Sequence, residues 1–259
     1  MRESVASSEP VINGTGQLAL VNFADRQVFF DDVAARLQQK QGFTVATLNL
    51  DHIVKMRQDA RFGQAYARHS HVVADGNPIV WLSRLGGRKV DLMPGSELIA
   101  PLVAIAAKQD VPIAMLGATQ ATLDLAADRL KEDHPGLRVV ARIAPAFGFD
   151  PLGDAAAAAL REIDQSGAGL CFLALGAPKQ EILAERGASL APGCGFVSIG
   201  AGLDFIAGHQ TRAPVWVRRI AMEWLWRILT NPRRLAKRYA LCFAILPGLV
   251  VSSLRQRRT

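Results

Sequence analysis

At 259 residues, half of them hydrophobic and 20% charged, the chain can bury one large core, or one core with an appendage, which excludes an intrinsically disordered protein. Its three cysteines, Cys171, Cys194 and Cys242, are odd in number, far apart and without a C-x-x-C spacing; this argues against a disulfide framework or a zinc site and fits a reducing cytoplasm. The formal charge of +7 is segregated: from Arg212 onward eleven basic residues face the single acid Glu223, a net +10 that leaves −3 for residues 1–211, so an anionic partner is expected for the C-terminus in particular.

In chain order, residues 1–16 are polar, with Glu3 and Glu9 and no apolar run, so no secretory signal is expected there. Apolar runs of strand length then alternate with amphipathic stretches of helix length. Strands are predicted at 43–48, 71–74, 111–116, 137–143, 169–175 and 195–199, with helices among them at 96–109, 119–133, 154–165 and 178–190. Ser96 before Glu97, Thr119 after Gly117, and Pro178 in a first turn are helix-start signals. The pattern predicts an α/β fold, a doubly wound, mostly parallel sheet with helices on both faces. Alanines 155–159 form the one low-complexity patch, and there is no internal repeat. From Arg212 the β-type runs cease and arginine, aromatic and aliphatic residues interleave at helical spacing, which sets a boundary between a domain at 1–211 and a basic helical appendage at 212–259. The uncharged apolar run 239–254 is shorter than the ~20 residues of a spanning helix and is interrupted by Pro247-Gly248. It is expected to lie on a membrane or dip into it.

The predicted strands end in small or polar residues: Thr47-Leu48-Asn49, Ala74-Asp75-Gly76, Leu116-Gly117-Ala118, Leu175-Gly176-Ala177 and Ile199-Gly200-Ala201-Gly202. In an open parallel sheet these ends share the ligand-binding edge. Asp75 stands there as a partly desolvated carboxylate, or as the cap of the next helix, since Asp-Gly-Asn-Pro is also a turn sequence. Thr47 and Asn49 offer a hydroxyl and an amide to a ligand, or are ordinary turn residues. Residues 176–181 close a strand and open a helix, whose start suits a diphosphate; Lys179 adds charge and Gln180 a directed hydrogen bond. Gly200-Ala201-Gly202 is like a nucleotide-binding turn, but Phe205 breaks the full G-x-G-x-x-G spacing. Asp204 holds a ribose or sugar hydroxyl, or caps a turn. The sequence contains no Asp-x-Asp, so a leaving diphosphate would be neutralised by helix ends and by arginine or lysine. His69 and His71 could share a strand face and bind a metal with Asp75, although such pairs are more often edge-strand residues.

Five ordered stretches resemble the WecG/TagA/CpsF glycosyltransferases: Thr47-Leu48-Asn49 with Asp51-His52; Ala74-Asp75-Gly76; Gly176-Ala177-Pro178-Lys179-Gln180-Glu181; Gly200 to Phe205 with Ala207-Gly208; and Arg212-Ala213-Pro214 with Glu223-Trp224 and Pro232-Arg233. The resemblance implies an inverting, metal-independent transfer of a sugar from a UDP-sugar (glucose, N-acetylmannosamine or its uronic acid) to a polyprenyl-diphosphate-linked acceptor in cell-surface polysaccharide assembly. It implies no cofactor. Asp75 would be the general base, with Thr47 and Gln180 in the catalytic set. Asn49, Gly117, Gly176, Pro178, Lys179, Glu181, Gly200, Gly202, Asp204, Arg212, Arg219 and Arg227 would bind substrate.

The chain departs from the family pattern at Leu92 and Met93, where relatives tend to carry an arginine, at Glu97, where they carry aspartate, and at Ala74, where they carry proline. Arg84 or Arg88 is expected to substitute for the arginine. The appendage, with Arg218, Arg219, Arg227, Arg233, Arg234 and Arg238 among Trp216, Trp224, Trp226 and Tyr239, has the composition of a segment facing anionic lipid on the cytoplasmic side of the membrane, or of a packed face with solvated arginines. No nucleic-acid motif accompanies it. Self-association is left open by the sequence. The rival readings are a dinucleotide-binding oxidoreductase, which lacks its glycine fingerprint, and a non-catalytic membrane-associated binding protein.

Overall fold

The computed structural model describes residues 16–210, 213, 214, 216, 217, 222–230 and 232–257. Six strands, β1 (Phe43–Leu48), β2 (His71–Ala74), β3 (Ile113–Gly117), β4 (Val139–Ile143), β5 (Leu170–Ala174) and β6 (Gly195–Ser198), form one sheet of order β2-β1-β6-β5-β3-β4. Every pairing is parallel. The chain winds from β1 out to β2, crosses to β3 and β4 at the far side, and returns through β5 and β6 to fill the middle. The carboxyl ends of β2, β1, β6 and β5 are therefore consecutive along one edge, the position of ligand sites in doubly wound sheets.

Strand periodicity divides the core between two faces. Phe43 and Val45 of β1, Phe172 of β5 and Val197 of β6 enter a cluster with Phe29, Val33 and Leu37 of α2 (Arg26–Gln38), Leu98 and Leu102 of α6 (Gly95–Lys108), Leu123 of α7 (Gln120–Asp133) and Leu203 of α10 (Gly202–Ala207). Ala46 and Leu48 face the other way, toward α1 (Gly16–Ala19), α3 (Leu50–Gln58), α4 (Ala60–Ala67) and α5 (Asn77–Leu85). On that same side Leu173 and Phe196 meet α8 (Asp154–Gln165) and α9 (Lys179–Leu190). The strands with buried residues at every position, such as β1 and β3, are those covered on both faces.

The edge strand β2 does not present a bare backbone. Val72 O accepts from the amides of Asn22 (3.1 Å) and Phe23 (3.3 Å), Val72 N donates to Asn22 Oδ1 (2.7 Å), and Met93 N donates to Ala74 O (2.8 Å).

Two further helices follow, α11 (Glu223–Thr230) and α12 (Pro232–Gln256). The expectation that Pro247-Gly248 interrupts the apolar run is corrected: α12 continues through Pro247. Its stretch Leu235–Gln256 is long and apolar enough to cross a membrane by length and composition. One face of α12, with Cys242, Leu249, Ser252 and Ser253 buried, packs on α3 and α5, while Leu241, Phe243, Val250, Val251 and Leu254 are exposed. The boundary at 211/212 and the side chains of Arg212, Arg218, Arg219, Glu223, Trp224, Arg227, Arg233 and Arg234 lie outside the described residues, as does the polar leader to residue 15.

Candidate active site

The edge is organised first by a helix cap. Asn49, directly after β1, caps α3 by accepting the His52 amide on Oδ1 at 3.0 Å. With the amide oxygen committed, Nδ2 is turned outward and lies 3.3 Å from Asp75 Oδ2. Asp75 follows β2, is half-buried, and has its own amide fixed on Leu48 O at 2.7 Å. The next helix, α5, takes Gly76, at φ +100°, as its N-cap residue rather than Asp75. A half-buried carboxylate held by the neighbouring strand's asparagine can accept a proton from a bound hydroxyl.

Thr47 is almost fully buried in β1, and its methyl lies under the start of α6, where a Cβ on Gly95 would meet Thr47 Cγ2 at 3.4 Å and Ser198 O at 3.1 Å. This close approach brings the α6 N-terminus onto the ends of β1 and β6. The segment before it continues the β2 edge through the Ala74–Leu92 bridge. The guanidinium beside that segment is Arg26, half-exposed, which donates to Leu92 O at 3.3 Å and lies 3.7 Å from Glu97. Arg84 and Arg88 do not take this place. Arg88 is tied to Leu18 O and Val21 O, and Arg84 sits in the last turn of α5, roughly 10 Å along the helix from its start.

On the other side of the edge, Gln180 joins two turns. It is 2% exposed, and its Oε1 accepts from Gly176 N (3.2 Å), after β5, and from Gly200 N (3.1 Å), after β6. Its Nε2 donates to Glu181 Oε1 at 2.8 Å. Gln180 therefore works beneath the site and is not placed to touch a sugar. Glu181 is fully buried, and burial pushes its carboxyl up to about 7. Gly176 (φ +72°) and Gly200 (φ +55°) both have open space where a side chain would stand, so a ligand can approach their backbone closely. Pro178 is the N-cap residue of α9, and Lys179, half-buried, begins the helix.

Three other expected site residues serve the fold. Gly117 (φ +111°) is required by the Ala174 backbone, which a Cβ would meet at 2.5 Å, and Gly202 by Ile99, also at 2.5 Å. Asp204 Oδ2 accepts from Gln210 Nε2 at 3.0 Å, closing the turn after α10. His69 Nδ1 lies 2.7 Å from Ala65 O, and His71, at the opposite end of β2 from Asp75, stacks on Phe23 and reaches Asp32 at 2.7 Å. Neither histidine approaches Asp75 as a metal ligand would, and no group of three or more His, Cys, Asp or Glu positioned for a metal occurs among the described residues.

Sequence reasoning missed the support under the edge. His52 Nδ1 and the Tyr66 hydroxyl lie 2.8 Å apart. Burial lowers His52 to about 3 and raises Tyr66 well above its ordinary value, so phenol and imidazole meet as two neutral groups. Lys55 pairs with Asp51 at 2.9 Å and donates to Ala177 O at 2.9 Å, and Arg238 of α12 reaches Asp51 at 3.1 Å. The i, i+4 spacing of Asp51 and Lys55 was a legible signal. The contact from Arg238 was not.

The family model described as glycosyl transferase WecG/TagA/CpsF matches residues 18–259. A protein of Bacillus spizizenii named N-acetylglucosaminyldiphosphoundecaprenol N-acetyl-beta-D-mannosaminyltransferase is 27% identical over 201 residues, 76% of this chain and 75% of that protein. A Bacillus subtilis protein of the same name is 23% identical over 199 residues, again 76% and 75%.

Proposed function

The chain belongs to the WecG/TagA/CpsF glycosyl transferase family, and from that premise we propose that it moves an N-acetylmannosamine-type sugar from a UDP-sugar to a polyprenyl-diphosphate-linked acceptor sugar, with inversion and without a metal. The observation that carries the reading is the Asn49–Asp75 pair across the ends of β1 and β2, on the same edge as the open Gly176 and Gly200 turns. The acceptor and the sugar are drawn from the names of the Bacillus relatives, and the missing Asp-x-Asp supports metal independence.

In this reaction Asp75 takes the proton from the acceptor hydroxyl while the acceptor oxygen bonds to the anomeric carbon. The bond from that carbon to the diphosphate breaks, and UDP leaves with the electron pair. Asn49 holds the carboxylate toward the acceptor. Lys179 faces the diphosphate, for which the turns at Gly176 and Gly200 leave room, and Arg26 at the mouth adds a second cation. The exposed row of α12, with Trp216 exposed nearby in sequence and the basic excess after residue 211, supports docking on an anionic membrane at its cytoplasmic face, where such an acceptor is anchored.

The test is transfer from UDP-N-acetylmannosamine, its uronic acid and UDP-glucose to N-acetylglucosaminyl-diphosphoundecaprenol, with chelator present. Product formation by the wild type and its loss in Asp75→Asn is the expected result. A requirement for added metal, or undiminished transfer by the variant, overturns the mechanism.

A further inference from the structure

We propose that Glu181 is a positioning residue for the transfer: through Gln180 it sets the separation of the Gly176 and Gly200 turns. Its bearing on catalysis rests on the reading above, that these turns receive the UDP-sugar.

The argument begins with how many constraints one amide carries. Gln180 Oε1 holds two backbone N–H groups that belong to different strand-ends, at 3.2 Å and 3.1 Å. An amide able to accept two such bonds is also able to rotate, and a flip of its oxygen and nitrogen would set two donors against two donors. What prevents the flip is the acceptor on the other side, Glu181 Oε1, 2.8 Å from Gln180 Nε2. Glu181 therefore fixes which end of Gln180 faces the turns, and neither Gln180 nor Glu181 has the exposure needed for another partner from solvent.

The second observation concerns the other carboxyl oxygen. Glu181 Oε2 is buried and has no hydrogen-bond partner among the described protein groups. An ionised carboxylate would leave that oxygen without a donor, a costly state inside a protein. The charged and titratable groups that act on Glu181 are Lys55 and Asp51 of α3, of opposite sign, and it acts in turn on Tyr66 of α4. Lys55 is already shared between Asp51 and Ala177 O. Burial penalises the charge and keeps the carboxyl neutral up to about pH 7, against the hydrogen bond from Gln180, which favours the charged form. Above that, the ionised carboxylate is the stronger acceptor for Gln180 Nε2, and the Gln180 clamp tightens.

The experiment compares wild type, Glu181→Gln and Glu181→Ala from pH 6 to pH 9. Backbone amide protection at Gly176 and Gly200 is measured after correction for intrinsic exchange, together with donor KM and kcat. In the wild type, protection at both glycines should rise as pH rises through about 7, with donor KM falling while kcat changes less. Glu181→Gln retains an acceptor and cannot ionise, so its protection and KM should lose this pH dependence. Glu181→Ala should raise donor KM by roughly tenfold at pH 6 with a smaller effect on kcat, and Glu181→Gln should recover most of that loss. A pH profile in Glu181→Gln that matches the wild type overturns the proposal, as does unchanged glycine protection in a folded Glu181→Ala protein. If the alanine variant does not fold, the glutamine variant decides. If no UDP-sugar is turned over by the wild type, the functional reading fails while the amide-exchange arm still decides the role of Glu181.

Discussion

Asn49 and Asp75 are joined because one of them is a helix cap: Asn49 Oδ1 takes the His52 amide at 3.0 Å, which obliges Nδ2 to face Asp75 Oδ2 at 3.3 Å. Stability and catalysis can be separated at this one residue. Aspartate is as good an N-cap as asparagine, so Asn49→Asp should keep the melting temperature within a few degrees. It replaces the donor to Asp75 with a like charge, and kcat should fall by roughly 10- to 100-fold. Asn49→Ala should lose the cap as well, at about 1 kcal/mol. Thermal melts beside initial rates check both; a fully active Asn49→Asp protein would remove Asn49 from the orientation of Asp75.

Asp75→Asn keeps size and hydrogen-bonding capacity but cannot take a proton. A drop in kcat of about 10²- to 10⁴-fold is expected, with donor affinity little changed, because the residue acts on the acceptor hydroxyl. Titration calorimetry with UDP, run beside the transfer assay, separates this outcome from a collapsed site.

Buried ionisable groups should shape stability between pH 4 and pH 7, with opposite signs. His52 and His69 are lowered by burial from 6.5 to about 3 and about 4. Their contribution is present above pH 6.5 and is lost as pH falls toward those values, since the unfolded chain takes up the protons first. Glu181 has the opposite sign: raised from 4.5 to about 7, it contributes fully below pH 4.5, and that contribution is lost as pH rises through 7. That loss, on the order of 3 kcal/mol, falls between pH 4.5 and 7 and partly offsets the gain from the two histidines over the same interval. Denaturant unfolding from pH 4 to pH 9 should show stability falling toward acid, and the rise from pH 4.5 to 7 should be steeper in Glu181→Gln.

Two glycines two positions apart should fail in different ways. Gly202→Ala drives a methyl to 2.5 Å from Ile99 Cδ1, an overpacking cost of about 1–3 kcal/mol, without a selective effect on donor affinity. Gly200→Ala meets no neighbour but imposes a left-handed conformation on alanine, at about 1–2 kcal/mol, and places a methyl where the donor would approach. Donor KM should rise more for Gly200→Ala than for Gly202→Ala when the two are compared at equal folded fraction.

For α12, charge on the exposed row should weaken lipid binding while sparing the fold. Val251→Glu with Leu254→Glu, two exposed positions, should reduce flotation with vesicles containing anionic phospholipid and leave the melting temperature unchanged. Leu249→Ala, at a buried position on the same helix, should cost about 2–5 kcal/mol. Equal flotation of the charged variant would show that membranes are met elsewhere.

The sheet was legible because its strands are short apolar runs with strong period, and all six predicted runs overlap an observed strand, with ends shifted by up to two residues. Asp75 and Asn49 stood out as polar residues closing strands, each with a capping or turn role as the alternative; Asn49 is in fact the cap of α3, and its side chain lies 3.3 Å from Asp75. The clamp beneath them was not legible. Gln180 and Glu181 read in sequence as groups that meet a ligand, and their burial follows from the two strand-ends that α9 covers. Arg26 could not be placed at Leu92 because the contact spans 66 positions, and charge pattern carries no information at that range. The continuity of α12 was misread for a local reason: Pro247 removes one amide and strains one turn, but the surrounding apolar face, packed on α3 and α5, keeps the helix going.

The loop that carries Asn22 along β2 has a consequence for assembly. An uncovered outer strand is a template on which a second chain can add by backbone pairing. Here Val72 already spends its carbonyl on Asn22 and Phe23 and its amide on the Asn22 side chain. Growth of the sheet from that margin is closed, and a second copy of the chain meeting the molecule on the β2 side must recognise helices and side chains instead of a strand.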